Sequence, residues 1–249
     1  MNTFSKPDKT LNHVSGPESL LILNYHRVGT PPGAARYKGM FVTPAHLSRQ
    51  IRWLKGAGYT ILPVSEALKS DAKKVASLTF DDGYEDNLRL GFPILKRENV
   101  RASIYLITGD VGQKNHVWKE AGEQLPSDLL NWDQIELLKA NGWETGSHGF
   151  SHIHLGNKSI QEQADCIEKS QDDFVKYLGS RANTFAYPYG SYQSETCKLL
   201  KDAGFIAGLT TESGLNHQNS HPFTLKRVHL KGHKIHHYLK SWMTLRPWI

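Results

Sequence analysis

Seven short, β-rich apolar runs alternate with segments of helical period along this chain, and that alternation limits the folds open to it more than any other feature. The runs cover residues 20–28, 76–82, 102–108, 143–147, 183–187, 205–210 and 224–230. Helical patterns fill the intervals at 44–55, 65–70, 86–98, 132–140, 160–178 and 194–203. A helix is the usual crossover between two parallel strands of one sheet, so repeated alternation predicts a parallel sheet wrapped in helices. Local punctuation agrees. Thr43 offers an N-cap, and Pro44 follows at the first helical position, where a missing N–H costs nothing. Gly56, Gly142 and Gly204 stand where helix C-caps are expected. The predicted class is α/β, and about seven units favour a distorted, closed or nearly closed (β/α) barrel over an open sheet.

A chain of 249 residues is long enough for one such barrel, predicted here as a single domain over 20–249 after a flexible N-terminal segment, 1–19. That segment is polar, contains Pro7 and Pro17 and lacks the apolar stretch of a secretory signal. The expected location is therefore cytoplasmic, with peripheral membrane contact or a trimmed export signal left as alternatives. No run approaches the roughly 18 apolar residues of a membrane span. The connection 109–131, with Trp118 and Pro126, is long enough to read as a lid or a plain excursion. The tail 232–249 is basic and aromatic and is expected to cap the barrel. Cys166 and Cys197 are too few for a disulfide scaffold or a zinc ribbon, and both fall in helical segments as free thiols. The net charge of +6 suits an anionic partner, but the basic residues are scattered and carry no recognition motif, so no nucleic-acid partner is expected.

Polar residues recur at the C-terminal ends of the predicted strands: Tyr25-His26-Arg27, Thr79 to Gly83, Ser147-His148 with His152 beyond it, Tyr187 to Gly190, and Arg227 with His229. In a parallel barrel these ends meet on one rim, where such folds build their sites. Asp81 and Asp82 are adjacent carboxylates that repel unless a cation or proton compensates, and strand alternation sends them to different tasks. One suits a metal ligand and the other a base; the bland alternative is a helix N-cap or turn pair ahead of Glu85 and Asp86. His148 and His152 converge on one helix face or in a compact loop, and with one carboxylate they form an open divalent-metal site. His154 follows closely enough to compete for the same role. The segment Tyr187-Pro188-Tyr189-Gly190 presents a backbone N–H suited to an oxyanion, or simply ends a strand with core aromatics. His229 is a candidate general acid, whereas His217, His221, His233, His236 and His237 need no role.

Together these segments resemble the polysaccharide deacetylase family, family 4 of the carbohydrate esterases, also called the NodB-homology domain. Thr79-Phe80-Asp81-Asp82-Gly83-Tyr84, the stretch from Gly146 to His152, and Phe185-Ala186-Tyr187-Pro188-Tyr189-Gly190 look like its three signatures. Asn24 to Val28 and Phe41 to Pro44 are similar to its bacterial poly-N-acetylglucosamine branch. The resemblance implies a distorted barrel of about seven strands and a divalent metal, zinc first, with nickel or cobalt as alternatives, held by Asp82, His148 and His152. It implies Asp81 as the catalytic base, the Tyr189 N–H as oxyanion donor and His229 as acid. His26, Tyr187, Pro188 and Arg227 are the expected substrate contacts. The implied reaction is removal of the N-acetyl group from an amino sugar in a glycan or glycoconjugate, by attack of a metal-activated water. Two departures stand out. Gly149 occupies a position that is Ser or Thr in many members, and Ala186 occupies that of an arginine orienting the base, which Arg227 is placed to replace. Rival readings are an amidohydrolase of the same fold with another acyl group or a non-glycan amide, and a silent glycan-binding module. The intact Asp81 argues against the last.

Overall fold

Alternate residues of the first strand, β1 (Ser19–Tyr25), enter two different apolar clusters. Leu20 and Ile22 join an inner cluster with Val75, Tyr105, Ala186, Leu209 and Leu225. Leu21, Leu23 and Tyr25 join a larger outer cluster packed under the helices. A strand buried on both faces reads as continuous apolar sequence, which is why residues 20–23 are uninterrupted. The computed structural model of the protein describes residues 16–114 and 127–230.

After β1 come β2 (Arg27–Val28), β3 (Phe41–Val42), β4 (Thr60–Ile61) and β5 (Lys74–Phe80). They are followed by β6 (Ser103–Leu106), β7 (Glu144–Ser147), β8 (Thr184–Ala186), β9 (Ala207–Leu209) and β10 (Val228–His229). The helices are α1 (Pro44–Gly56), α2 (Val64–Ala67), α3 (Phe92–Arg97), α4 (Trp132–Ala140), α5 (Ile160–Leu178) and α6 (Ser194–Asp202). Seven strands form a curled parallel sheet in the order β10-β1-β5-β6-β7-β8-β9, with β4 added on β5. Leu225 bridges to Leu209 of β9 while Val228 pairs with Leu23 of β1, so residues 225–229 span the gap between the sheet's edges. This is the predicted distorted (β/α) barrel. Among the described residues, no helix is long and apolar enough to cross a membrane.

Several boundaries differ from the sequence expectation for identifiable reasons. The run 20–28 breaks at His26: β1 ends at Tyr25, and Arg27–Val28 leaves the barrel to pair with Phe41–Val42 in a separate two-stranded sheet. The segment 86–98 divides into a π turn, Asn87–Gly91, and α3, because Pro93 has no N–H to continue an α-helical ladder. The expected cap Gly56 lies inside α1, and Gly58 takes the left-handed conformation beyond it. Of the run 224–230 only Val228–His229 is strand. Ser19, placed in the N-terminal segment by sequence, already belongs to β1, and residues 1–15 lie outside the described part. So do the tail 231–249 with its expected cap, and residues 115–126 with Trp118 and Pro126. Cys166 and Cys197 are free thiols on α5 and α6.

The barrel lining changes from apolar at the bottom (Leu20, Ile22, Val75) to polar at the top (Asn24, Thr79, Asp81), and this gradient delivers the site to the rim. Gly146 of β7 is part of that packing: a Cβ there would strike the Tyr105 ring and come within 3.0 Å of the Thr184 carbonyl. Gly146→Ala is expected to lower unfolding stability by about 1–3 kcal/mol through overpacking. An unchanged urea midpoint would show instead that Tyr105 can move aside.

A candidate metal and catalytic centre

The turn after β5 separates the two adjacent aspartates. Asp81 N–H donates to the Tyr25 carbonyl at 3.0 Å, extending the ladder, and its side chain points into the barrel. Asp82 then adopts a left-handed backbone, φ 75°, and Gly83 continues it at φ 77°. Such a conformation costs a non-glycine residue roughly 1–2 kcal/mol, and it swings the Asp82 carboxylate across the rim toward β7. The two carboxylates therefore face different partners, Asp81 toward Arg227 and Asp82 toward His148 and His152.

Asp82 Oδ1 lies 3.5 Å from His148 Nε2 and 3.6 Å from His152 Nε2. His148 Nδ1 donates to the Ala186 carbonyl at 2.6 Å, which leaves Nε2 as the ring's lone-pair donor. Asp82 Oδ1 is buried with no hydrogen-bond partner. An orphaned carboxylate oxygen facing two imidazole nitrogens is a ligand set that requires positive charge among its members. Burial acts to lower the His148 pKa, yet Asp82 and Asp81 hold it above the ordinary imidazole value, which expresses the same requirement. Burial pushes His152 down to about 4, so it is neutral and ready to ligate. Asp82, His148 and His152 form the one group of possible metal ligands among the described residues, and the donor set of one carboxylate and two imidazoles fits a divalent metal with open positions. His154 stands apart from it, stacked on Tyr189 at 3.9 Å between ring centroids.

Asp81 is held from behind. Arg227 Nη1 and Nη2 each donate at 2.8 Å to its two oxygens, and Asn24 Nδ2 donates to Oδ2 at 2.9 Å. Arg227 also donates to the Thr210 carbonyl and is 1% exposed. Burial alone would raise the Asp81 pKa, but the Arg227 guanidinium, with His148 and His26, holds it well below the usual carboxylate range. Arg227 is thus the arginine that Ala186 does not supply. Its expectation as a substrate contact is corrected, because both terminal nitrogens are engaged by Asp81 and it does not line the cavity.

A cavity of about 310 Å³ opens over the ligands, lined by His26, Arg27, Phe41, Tyr84, Tyr187 and Tyr189 among others. His26 faces it with a buried Nδ1 that has no hydrogen-bond partner. His229, expected as the acid, is not brought into the cavity. It sits exposed on β10, where Nδ1 donates to Asn24 Oδ1 at 3.3 Å, so it supports the amide that holds Asp81. Tyr187 lines the cavity, but its hydroxyl donates to the Phe223 carbonyl at 2.9 Å, turned toward the core. Pro188 is buried and fixes the turn without lining the cavity. Tyr189 follows it at φ 59°, with its side chain 36% exposed on the rim. Arg27 and Asn24 were missing from the expected site. Arg27 is clamped between the rings of Phe41 and Tyr84 and donates to Asp86 and Ser127. Its position beside His26 at a strand end was the available signal; Asn24 opens the segment that resembles the bacterial branch, but no residue beside it pointed to a contact with Asp81.

Removing Arg227 would strand a buried charge. Arg227→Met is expected to cost about 3–5 kcal/mol of unfolding free energy, because Asp81 loses its counter-ion. The double variant Arg227→Met/Asp81→Asn should recover part of that loss in the same denaturation assay. Equal losses in both would show that packing, not charge pairing, is at stake. His148→Ala is expected to weaken zinc binding at least about tenfold by calorimetric titration, and unchanged affinity would refute the ligand set.

A family profile for polysaccharide deacetylases matches residues 69–208, more than half of the chain and the part that carries Asp81, Asp82, His148, His152 and Tyr189. A poly-beta-1,6-N-acetyl-D-glucosamine N-deacetylase of Staphylococcus aureus is 27% identical over 248 residues, covering 90% of this chain and 83% of that one. Among solved structures, the Streptococcus pyogenes deacetylase PplD in complex with acetate superposes with a TM-score of 0.74 at 26% identity, covering 90% of this chain and 98% of that one. IcaB from Ammonifex degensii shares the fold at a TM-score of 0.77 and 23% identity, over 94% and 97% of the two chains. The chain belongs to the polysaccharide deacetylase family.

Proposed function

We propose that this protein hydrolyses the N-acetyl group of N-acetylglucosamine residues in a β-1,6-linked glycan. One observation carries the chemistry: a carboxylate kept ionised by Arg227 lies beside a second carboxylate that converges with two imidazoles, all at the floor of one cavity. The substrate class is suggested by the Staphylococcus aureus relatives and their poly-N-acetylglucosamine activity.

A divalent cation on Asp82, His148 and His152, zinc by its donor preference and nickel or cobalt as alternatives, would supply Lewis acidity toward the acetyl oxygen and toward water. Asp81 accepts the proton of the attacking water. A carboxylate held so low is a weak base toward bulk water and is matched to water already acidified in the cavity. Arg227 and Asn24 keep it ionised and aimed. The Tyr189 N–H donates to the oxyanion that develops as the carbonyl carbon becomes tetrahedral. His26 replaces His229 as the proton donor, because it faces the cavity. It protonates the amine nitrogen as the C–N bond breaks, leaving acetate and a free amino sugar.

Acetate release from β-1,6-linked N-acetylglucosamine oligomers by the zinc-loaded protein is the direct test, with peptidoglycan fragments and lipid-linked amino sugars in parallel. Asp81→Asn is expected to lose about 10²–10⁴-fold in kcat while retaining zinc. Full activity in that variant would sink the assigned base. His26→Ala should lose far more kcat than His229→Ala, and the reverse order would return the acid role to His229. Release only from another substrate would redirect the substrate class, and silence with zinc bound would favour a different acyl group or a binding module.

A further inference from the structure

Tyr189 combines three features that do not normally occur together. It has a bulky side chain, a left-handed backbone at φ 59° and ψ 6°, and a place on the cavity wall where its main chain is to act. Its successor Gly190 is left-handed as well, at φ 69°, packed against Thr211. A residue with a Cβ is disfavoured in that conformation; the turn itself is closed by Gly190 N–H to the Tyr187 carbonyl at 2.9 Å and Ser191 N–H to the Pro188 carbonyl at 3.0 Å, with Pro188 fixing the φ before it. Those bonds close the backbone, and contacts from outside the turn add to them by fixing the Tyr189 side chain against the strained φ.

The tyrosine ring is gripped on two sides. His154 lies flat on it, with centroids 3.9 Å apart and planes within 9° of parallel, and His152 contacts it at 4.3 Å and 49°. His152 already belongs to the candidate ligand set, so the contact that remains to be explained is His154. This residue is exposed and stands outside the ligand set. Leu155 beside it is fully buried and Gly156 N–H donates to Ser191 Oγ, which anchors the His154 backbone to the strand-end turn that carries Tyr189.

We propose that His154 is a positioning residue: by stacking on Tyr189 it keeps that residue's backbone left-handed and its N–H where the developing oxyanion forms. The inference rests on the deacetylase reading of the site. It predicts a role that belongs to the flat ring, with no contribution from its nitrogens and no contact with the glycan. Parallel stacking between aromatic planes is available to phenylalanine and not to aliphatic side chains.

The test is steady-state acetate release from β-1,6-linked N-acetylglucosamine oligomers by zinc-loaded wild type, His154→Ala, His154→Leu and His154→Phe, with zinc content and thermal midpoint measured on each. His154→Ala and His154→Leu are expected to lose about tenfold in kcat with KM within about twofold, the pattern of an interaction made only in the transition state. His154→Phe is expected to restore kcat to within about twofold of wild type. His154→Leu keeps the comparison intact should the alanine variant fold poorly. Equal kcat in wild type and His154→Leu would overturn the proposal, as would failure of the phenylalanine rescue. A raised KM at unchanged kcat would assign His154 to glycan contact and overturn it too. Wild type that turns over no amino-sugar substrate would bring down the deacetylase reading itself, an outcome distinct from these.

Discussion

The buried ion pair between Asp81 and Arg227 is the contact on which both the barrel and its chemistry depend. Two charges withdrawn from water cost several kcal/mol each, and only a fully satisfied geometry compensates for them. Here the geometry is complete: two parallel hydrogen bonds at 2.8 Å, a third from Asn24, and a carbonyl for the remaining guanidinium edge. The contributing residues come from the end of β5, from β1 and from the stretch leading into β10. The pair therefore ties the middle of the sheet to the segment that spans its gap. The same bonds determine that the carboxylate is ionised, so closing the barrel and fixing the charge on Asp81 are one interaction.

The rim departs from regular geometry at the cavity. Among the described residues, Asp82, Asn99 and Tyr189 are the non-glycines with positive φ, and two of the three line the cavity. The regular strands below hold those turns in place, as expected where strain is stored at functional positions. Gly149, between the two histidine ligands, belongs to the same pattern. At φ 81° its missing side chain leaves room for Cys166, whose sulfur would lie 2.9 Å from an added Cβ. A serine or threonine side chain has no room in this conformation, so the glycine is matched to its packing against Cys166 of α5.

Much of this was legible in the residues. The alternation of apolar runs and helical segments located the seven strands of the sheet, and the bounds of α4 and α5 agree with the periodicity to the residue. The candidate metal ligands were legible because their pattern is local: an Asp-Asp-Gly turn and two histidines four apart. What escaped notice lies across the sheet. Asn24 sits in an otherwise apolar strand and acquires meaning only because β5 pairs beside it. Arg227 carried two readings, and sequence spacing has no means of choosing between a guanidinium aimed at a ligand and one aimed at a carboxylate. His229 was placed near the right residues, but it is exposed and does not line the cavity, a distinction that depends on which face of a two-residue strand looks inward. His154 looked like a competitor for the metal, since a stacked ring and a ligating ring have the same one-letter code.

The strand order has a consequence for how the protein comes into being. Asp81 and Arg227 are separated by 146 positions in the chain, and residues 225–229 are the last described segment to join the sheet. A chain emerging from the ribosome can assemble β1, β5, β6 and β7 early, with the metal ligands Asp82, His148 and His152 already within reach of one another. Its Asp81 then has no guanidinium and faces an interior still open to water. Contacts this distant in sequence form late, after the loop-closure entropy of the whole barrel has been met. Asp81 therefore gains its counter-ion only when residues 225–229 dock, which makes the charge at the heart of the rim among the last features of the described fold to be fixed.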